Sequence, residues 1–317
     1  MTNSPVVEVL LATYNGELYL REQIDSILGQ DYANLRVLAR DDGSTDGTVA
    51  ILGEYAVQFP SRFRVLPATT PTGHAKWNFL ELLKASTADY VCFADQDDVW
   101  IPEKVTLSLR AMEGLAAHYR GSLPLLVFTN VRVVDRELKT QIESQWRHHK
   151  VNVKRMSTFP RLLGQNIVTG CTAMLNRPLA QLALSMPEEA ILHDHWVALL
   201  AAAFGASRGL EQQTVLYRQH DNNVMGAGSP RGSTEFRWTN AVQQSEKRWR
   251  LNSAQAEGLL RVHGADTPER PLQQLRAFLQ CRDRKKSKWA RIALVLRHGF
   301  YVLGPRNNLA MLRYLWS

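Results

Sequence analysis

The sequence is most constrained by a repeated pattern in its first hundred residues, where short apolar runs alternate with segments of helical periodicity. Residues 6–12, 35–39, 63–66 and 90–94 are short runs rich in apolar side chains. Between them, apolar residues recur every three or four positions, as they do on one face of a helix. Strand–helix alternation of this kind predicts an α/β fold with a mostly parallel sheet and helices on both of its faces.

The unusual polar residues of this region all follow predicted strands. Sheets of this type bind ligands beyond the carboxyl ends of their strands, so we expect these residues to converge on one site. They are Tyr14 and Asn15 after the first strand, Asp41 and Asp42 after the second, and Asp95, Asp97 and Asp98 after the fourth.

Further strands and helices are predicted later in the chain. Three strands are expected at residues 125–134, 167–175 and 214–217, and an apolar helix is expected at residues 196–204. Residues 146–159 are polar and rich in Arg, Lys and His, which is typical of a loop or a mobile lid.

A linker separates two predicted parts of the chain. Residues 222–233 are rich in Gly, Asn and Ser, a composition typical of a flexible connection. Before the linker we predict a catalytic domain at residues 1–225, with a ligand-binding half at about 1–110 and a second half at about 111–225. Residues 226–317 are predicted to form a helical C-terminal region.

The net charge of +8 is concentrated at the C-terminal end. Residues 284–317 contain eight Lys and Arg residues and no Asp or Glu, so the rest of the chain is close to neutral. A neutral body argues against nucleic acid as a partner. Basic residues interleaved with aromatic ones favour a helix lying on an anionic membrane surface. The alternative is a helix that packs on the catalytic domain and has a solvated basic face.

Cysteine usage and the N-terminal sequence both favour the cytoplasm. The three cysteines, Cys92, Cys171 and Cys281, are far apart, which argues against a disulfide framework and a structural zinc site. No secretory signal precedes the first predicted strand, and no apolar run reaches the ~18 residues of a spanning helix. We expect a cytoplasmic protein, peripheral on the inner face of the cytoplasmic membrane.

The acidic cluster at residues 95–98 indicates a metal site. Asp95, Asp97 and Asp98 directly follow an apolar strand, and carboxylates this close repel one another unless a cation or hydrogen-bond donors offset their charge. Mg²⁺ or Mn²⁺ takes few carboxylates and completes its coordination with phosphate oxygens and water. The alternative is a solvated acidic turn or a helix N-terminus.

The acidic turn at residues 41–48 can serve a ligand or the fold. Asp41 or Asp42 could accept a hydrogen bond from the N3–H of a uracil or thymine ring, with Tyr14 stacked beside that base. The same segment is also typical of a turn in which Ser44 or Asp46 caps the following helix. Different residues carry the two roles, so both are compatible.

Three motifs together resemble family 2 glycosyltransferases. They are Ala-Thr-Tyr-Asn-Gly at residues 12–16, Arg-Asp-Asp-Gly-Ser-Thr-Asp-Gly-Thr at 40–48, and Ala-Asp-Gln-Asp-Asp-Val-Trp at 94–100. A weaker match extends through residues 169–170, 193–196 and 217–220, and its last two segments are similar to bacterial rhamnosyltransferases of cell-surface polysaccharide synthesis. The resemblance implies the GT-A fold, an inverting mechanism and a divalent metal, Mg²⁺ or Mn²⁺.

The resemblance also implies roles for individual residues. Those implied to bind the nucleotide-sugar donor are Thr13, Tyr14, Asn15, Asp41, Asp42, Lys76, Asn78, Asp95 and Gln96. Those implied to bind the acceptor are Gly170, His193 and Trp196. Asp97 is the implied metal ligand, and His220 is implied to approach the metal or the diphosphate.

Asp194 is the candidate general base. An inverting transfer requires a carboxylate opposite the leaving diphosphate and within reach of the acceptor hydroxyl. The local sequence alone favours Asp194 as the N-cap of the helix that follows. The resemblance favours the base, and one residue can perform both roles.

These expectations define one function and three alternatives. The predicted enzyme moves L-rhamnose from dTDP-L-rhamnose to a hydroxyl of lipopolysaccharide or another surface polysaccharide, with a saccharide or lipid-linked saccharide as acceptor. A UDP-hexose donor and a non-catalytic nucleotide-sugar-binding protein are alternatives. A nucleotidyltransferase is a weaker one, because it should carry a Gly-rich phosphate loop after the first strand. Here residues 13–17 contain one glycine.

Overall fold

The computed structural model describes residues 4–67, 70–119, 122–219 and 234–316, with side chains described from residue 241 onward in the last range. The first part alternates strands and helices as predicted. Its elements are β1 (Val7–Thr13), α1 (Leu20–Leu28), β2 (Leu35–Asp41), α2 (Thr48–Gln58), β3 (Phe63–Val65), α3 (Ala75–Ala85), β4 (Tyr90–Ala94), β5 (Val99–Trp100) and α4 (Lys104–Tyr119).

The second part is less regular. Its elements are β6 (Leu125–Val134), β7 (Thr140–Ile142), α5 (Gln145–His148), α6 (Val153–Met156), α7 (Phe159–Gly164), β8 (Met174–Asn176), α8 (Arg177–Ala183), α9 (His193–Phe204) and β9 (Ala206–Arg218). The C-terminal region contains α10 (Thr234–His263), α11 (Glu269–Gln280), α12 (Lys288–His298) and α13 (Pro305–Trp316). Its predicted helical character is confirmed.

The strands form one sheet in the order β3-β2-β1-β4-β8-β6-β9-β5, with β7 beside β6. The run β3-β2-β1-β4 is parallel, as predicted. The second half is mixed, because β8 runs antiparallel to both β4 and β6. Helices cover both faces, which explains why β1 carries apolar side chains on both of its faces. Leu10 lies in one hydrophobic cluster, whereas Val9 and Leu11 lie in the other.

Two local predictions in the second half are wrong. The segment at 146–159 is not all loop, because it contains parts of two four-residue helices whose Trp146 and Met156 are buried. The strand predicted at 167–175 is reduced to the three residues of β8, because a 3₁₀ turn at Gly170–Thr172 interrupts the extended chain.

The C-terminal helices pack against α7 and against one another. Trp249, Phe278 and Phe300 are buried in the same hydrophobic cluster as Leu10 of β1. No helix of the described part of the chain is long and apolar enough to cross a membrane. The linker and the domain boundary predicted near residue 225 lie outside the described residues.

Candidate active site

Three parallel strands end at one edge of the sheet. Thr13 of β1 pairs with Asp41 of β2, and Leu11 of β1 pairs with Ala94 of β4. The residues that follow these positions are therefore neighbours in space. Those brought together are Thr13, Tyr14, Asn15, Asp41, Asp42, Asp95, Gln96, Asp97 and Asp98.

The loop after β1 is held by the other two strand ends. Gln96 Oε1 accepts the Tyr14 N–H at 2.7 Å, and Gln96 Nε2 donates to the Tyr14 carbonyl at 2.9 Å. Asn15 has a left-handed backbone, φ 49°, and its Oδ1 accepts the Thr45 N–H at 2.8 Å. A Cβ at Gly16 would lie 2.3 Å from Gln96 Oε1. Gln96 and Asn15 therefore shape the loop, whereas the Tyr14 ring is 58% exposed.

The Asp41 carboxylate is occupied by its own turn. Asp41 Oδ1 accepts hydrogen bonds from the Thr13 hydroxyl at 2.9 Å and the Ser44 hydroxyl at 2.5 Å. Asp41 Oδ2 accepts the N–H groups of Gly43 at 3.0 Å and Ser44 at 2.7 Å. Thr13 is buried and supports Asp41.

The Asp42 carboxylate is tied to a separate segment. It accepts Arg40 Nη1 at 2.9 Å, the Thr72 N–H at 2.6 Å and the Gly73 N–H at 2.9 Å. Burial alone would raise the pKa of Asp42, but the hydrogen bonds from Thr72, Arg40 and Gly73 outweigh burial and lower it. Asp42 is thus held as a buried carboxylate just after the end of β2.

Lys76 and Asn78, both implied to border the donor, are buried in structural contacts. Lys76 Nζ donates to the carbonyl oxygens of Glu188 at 2.7 Å and Ala190 at 2.6 Å, on the segment before α9. Asn78 Oδ1 accepts from the Arg40 guanidinium at 2.8 Å. The two residues therefore connect α3 to its neighbours, and neither presents an exposed side chain.

The acidic cluster after β4 carries closely spaced carboxylates. Ligand atoms of Asp95, Asp98 and Cys171 all lie within 4.8 Å of one another. Burial, followed by the charges of Asp97 and Asp194, raises the pKa of Asp95 to about 7. Burial and the charges of Asp97 and Asp95 raise the pKa of Asp98 well above its usual range. A bound cation would offset the repulsion between these carboxylates.

Two buried cations lie beside the cluster, and the sequence did not identify their role. Arg218, in the segment 217–220 of the weaker match, is 2% exposed. Its Nε donates to the Asp97 carbonyl at 2.8 Å, and its N–H donates to Asp98 Oδ1 at 3.1 Å. Lys104 is fully buried over the Trp100 ring, 4.1 Å from its centroid. The Lys104 charge is close enough to Asp98 to interact with it, whereas the Arg218 guanidinium forms an ion pair with Glu22.

The carboxylate oxygens of the acidic cluster suit a hard divalent cation. The Cys171 thiol does not, because burial and the charges of Asp98 and Asp95 raise its pKa well above its usual range and keep it neutral. Asp98 Oδ2 is buried and has no hydrogen-bond partner among the described residues. The half-buried carboxylates of Asp95 and Asp97 are the oxygen ligands that Mg²⁺ and Mn²⁺ prefer.

Asp194 lies in the first turn of α9 and near Asp95. The helix begins at His193 with Leu192 as its N-cap, so Asp194 is not the cap. Its Oδ1 accepts the His195 N–H at 2.5 Å. Burial raises the pKa of Asp194 to about 7, although the N–H groups of His195 and Gly170 oppose that shift. A carboxyl group that titrates near neutrality is suited to general-base chemistry.

The two histidines beside Asp194 are buried and neutral. Burial lowers the pKa of His193 to about 3 and that of His195 to about 4. The His193 ring packs 4.0 Å from the Phe79 ring, between centroids. His195 Nε2 bonds to the Leu162 carbonyl at 2.7 Å, and its Nδ1 bonds to Gln255 Nε2 at 3.1 Å. Because a carbonyl only accepts, Nε2 carries the proton of His195.

The remaining predicted residues are placed differently. Gly170 lies against His193 and Asp194, since a Cβ there would stand 2.9 Å from His193 Nε2 and 3.6 Å from Asp194 Cβ. Trp196 is fully buried and faces the core, which does not suit direct contact with an acceptor. His220 lies outside the described residues.

Solved structures share this fold over nearly the whole chain. The S. aureus protein TarS 1-349, in complex with UDP-GlcNAc, is 14% identical with a TM-score of 0.54, over 98% of this chain and 90% of that one. The mannosyltransferase PcManGT from Pyrobaculum calidifontis, in complex with GDP-Man and Mn²⁺, is 20% identical with a TM-score of 0.52, over 99% of this chain and 86% of that one. The fold is the GT-A fold, an α/β sheet flanked by helices, as predicted.

Sequence comparison gives the family. The profile described as "Glycosyl transferase family 2" matches residues 8–180. A protein named dTDP-rhamnosyl transferase RfbG, from Shigella flexneri, is 29% identical over 228 residues, which is 68% of this chain and 74% of that protein. The chain therefore belongs to glycosyltransferase family 2, and it is a glycosyltransferase.

Proposed function

We propose that the chain is an inverting, metal-dependent rhamnosyltransferase. The observation that carries the inverting mechanism is the position of the Asp194 carboxyl group, which is buried in the first turn of α9 and close enough to Asp95 for their charges to interact. As a carboxylate, Asp194 takes the proton of the acceptor hydroxyl while that oxygen bonds to the anomeric carbon. The bond from this carbon to the nucleoside diphosphate breaks on the opposite face, which inverts the sugar.

The donor proposed is dTDP-L-rhamnose. It is supported by the similarity to the protein named dTDP-rhamnosyl transferase RfbG. The exposed Tyr14 ring offers a stacking surface for a pyrimidine, and Asp42 offers a carboxylate to the base N3–H. Asp42 suits this role better than Asp41, because Thr72 and Gly73, two of its donors, belong to a segment separate from the strand-end turn. When a thymine or uracil binds, its N3–H would replace one of those donors at the Asp42 carboxylate.

The metal proposed is Mg²⁺ or Mn²⁺, held by Asp97 and Asp95. When bound, such an ion neutralises charge on the leaving diphosphate. Asp98 positions this loop by accepting the Arg218 N–H, and Arg218 in turn fixes the Asp97 carbonyl. His220 remains a predicted ligand of the metal or the diphosphate.

The acceptor proposed is a hydroxyl of lipopolysaccharide or another surface polysaccharide, presented as a saccharide or a lipid-linked saccharide. Residues 111–225 of the proposed catalytic domain 1–225 would bind it, with Gly170 and His193 beside the base. Gly170 supports this assignment because a side chain there would collide with His193. Residues 226–317 form the proposed C-terminal region.

A donor panel tests this function. Calorimetry with Mn²⁺ should show dTDP and UDP binding within about tenfold of each other, about 1.4 kcal/mol, because both bases present the same N3–H edge. GDP should bind much more weakly, and transfer should be observed from dTDP-L-rhamnose. EDTA should stop transfer, and Asp97→Ala should do the same while the fold stays intact.

Other outcomes separate the alternatives. Tight GDP binding would overturn the base pocket. Transfer from UDP-hexoses with none from dTDP-L-rhamnose would identify a different donor. Full activity in EDTA would remove the metal role. Donor binding with neither hydrolysis nor transfer would indicate a non-catalytic binding protein.

We also propose that the C-terminal helices rest on the inner face of the cytoplasmic membrane. Of the tail residues, Phe300 and Val295 are buried, so the tail is part of the fold as well. Trp289 is 72% exposed and Trp316 is 39% exposed, and their rings meet at 4.7 Å between centroids. Exposed aromatic residues beside Lys and Arg support contact with an anionic surface.

Vesicle binding tests the membrane contact. Each basic residue near an anionic surface contributes about 1 kcal/mol, which salt screens, whereas the aromatic contribution is insensitive to salt. Binding should therefore weaken with salt without vanishing, and neutral vesicles should bind poorly. Trp289→Ala should weaken binding severalfold, whereas Tyr119→Ala, another exposed aromatic residue, should not. Equal binding by both variants would contradict the proposal.

A further inference from the structure

A cavity in the C-terminal region gathers positive charge far from the motifs of the sheet in sequence. It has a volume of about 350 Å³ and is lined by residues of α10, α12 and α13 and of the segment after α11. The charged side chains that line it are Glu246, Arg250, Arg282, Arg284 and Arg291. Four guanidinium groups thus share one cavity with a single carboxylate. We call it the arginine cavity.

Arg291 is the buried member of the set. It is 7% exposed, and its Nε has no hydrogen-bond partner in the part of the chain that the structure describes. A buried guanidinium that lacks a hydrogen-bonding partner is costly to desolvate. Its neighbour Cys281 is a buried thiol and supplies no negative charge, because burial raises its pKa to about 12.

The other three arginines are exposed, and Glu246 is the single carboxylate among the described residues that line the cavity with them. Arg250, Arg282 and Arg284 make no side-chain hydrogen bond or ion pair with the described residues. Asp283 does not line the cavity, and its Oδ1 accepts the Lys285 N–H at 2.9 Å. From residue 284 to 317 the sequence contains no Asp or Glu. The arginine cavity therefore has a large excess of positive charge.

Arginine clusters recognise oxyanions in preference to other groups. The planar guanidinium binds phosphate oxygens through pairs of parallel hydrogen bonds. A group carrying two or three negative charges would balance four arginines and one glutamate. We propose that the arginine cavity binds a phosphomonoester or a diphosphate, carried either by a small soluble molecule or by a lipid headgroup. This inference uses none of the residues of the proposed catalytic site.

Binding of inorganic pyrophosphate to the full chain tests the proposal. Calorimetry is performed in EDTA and without nucleotide, because the proposed donor site depends on its metal to hold a diphosphate whereas the arginine cavity does not. Wild-type protein should still bind one pyrophosphate. Arg282→Gln combined with Arg284→Gln should weaken that binding at least tenfold, because two charge-assisted contacts are lost.

A charge-matched control uses two exposed arginines of α12 and α13 that do not line the cavity. Arg297→Gln combined with Arg313→Gln removes the same net charge and should change pyrophosphate binding less than twofold. Equal losses in the two double variants would overturn the proposal, since they would indicate diffuse attraction. Absence of pyrophosphate binding in EDTA would also overturn it. Both pairs are exposed, so the test does not depend on replacing the buried Arg291.

Vesicles distinguish the two sources of the phosphate. Phosphatidic acid presents a phosphomonoester, whereas phosphatidylglycerol presents a phosphodiester with less charge. At matched total charge, a lipid occupant predicts severalfold tighter binding to phosphatidic acid vesicles, lost in the Arg282/Arg284 double variant and kept in the control. A soluble occupant predicts equal binding to both vesicles together with the pyrophosphate result above.

Discussion

The two sides of the proposed active site are built in different ways. On the donor side, neighbouring strand ends hold one another, as Gln96 holds Tyr14 and Asp41 accepts the Thr13 hydroxyl. On the base side, Asp194 belongs to a helix held from far along the chain, by Gln255 of α10. The family profile, residues 8–180, ends before Asp194. The donor side is thus built within the first hundred residues, whereas the side that contains Asp194 depends on the C-terminal helices.

The largest effect is expected when the proposed base, Asp194, is replaced and the donor side is left unchanged. Asp194→Asn keeps the shape of the side chain but cannot accept a proton. We expect kcat to fall by roughly 10²-fold or more, as is typical of a lost general base. Affinity for dTDP, measured by calorimetry, should be unchanged, because Tyr14 and Asp42 lie on the other side. A variant that turns over normally would show that Asp194 is structural.

The donor side could be predicted because it is built from the ends of neighbouring parallel strands. Parallel strands place their carboxyl ends at one edge, so the order of Thr13, Asp41 and Asp95 along the chain was enough to bring them together. What each residue does there was less predictable. Asn15, Asn78 and Lys76 resemble ligand-binding residues, but their polar atoms are engaged by backbone or side-chain partners within the chain.

The base side could not be predicted to the same extent. The turn at Gly170–Thr172 is hidden in an apolar run that resembles a strand. The burial of Arg218 and Lys104 depends on packing between elements distant in sequence. Nothing in the sequence indicated that Gln255 is buried, because a glutamine in a long helix is usually exposed to solvent. Its role depends on α10 packing against the segment before α9.

The pH dependence of the reaction is the second test, because it depends on the ionisation of Asp194. Burial raises the pKa of Asp194 from 3.8 to about 7, so the folded chain binds more protons than the unfolded chain in that interval. The contribution of Asp194 to stability therefore falls as pH rises through the interval. Activity should move the opposite way, because the base must be ionised. We expect kcat/KM to rise about tenfold per pH unit below about 7 and then level off.

Metal concentration identifies which carboxyl group causes this pH profile. Burial and neighbouring acids also raise the pKa of Asp95 to about 7. Cation binding would favour its ionised form, so an apparent pKa that shifts with Mn²⁺ concentration would belong to the donor side. One that stays constant would belong to Asp194. A profile flat from pH 5 to 8 would contradict a base of this kind.

The smallest expected effect comes from Gln255, and it tests whether α10 sets the position of the base. Gln255 is 1% exposed, accepts the Ile191 N–H at 2.9 Å and bonds to His195 Nδ1 at 3.1 Å, so it holds the chain on both sides of Asp194. Gln255→Met keeps the volume but loses both contacts. We expect kcat to fall about tenfold, because small displacements of a reacting group are costly. Affinity for dTDP should be unchanged.

A second link between the same two segments provides the control. Arg261 of α10 pairs with Glu189 at 2.6 Å, but the side chains are 60% and 36% exposed. Exposed ion pairs contribute about 0–1 kcal/mol to stability, so Arg261→Gln should leave kcat unchanged and barely alter the melting temperature. If both variants lower kcat equally, α10 acts only as general packing. If Gln255→Met alone lowers kcat at constant dTDP affinity, the C-terminal helix positions the base through one buried amide.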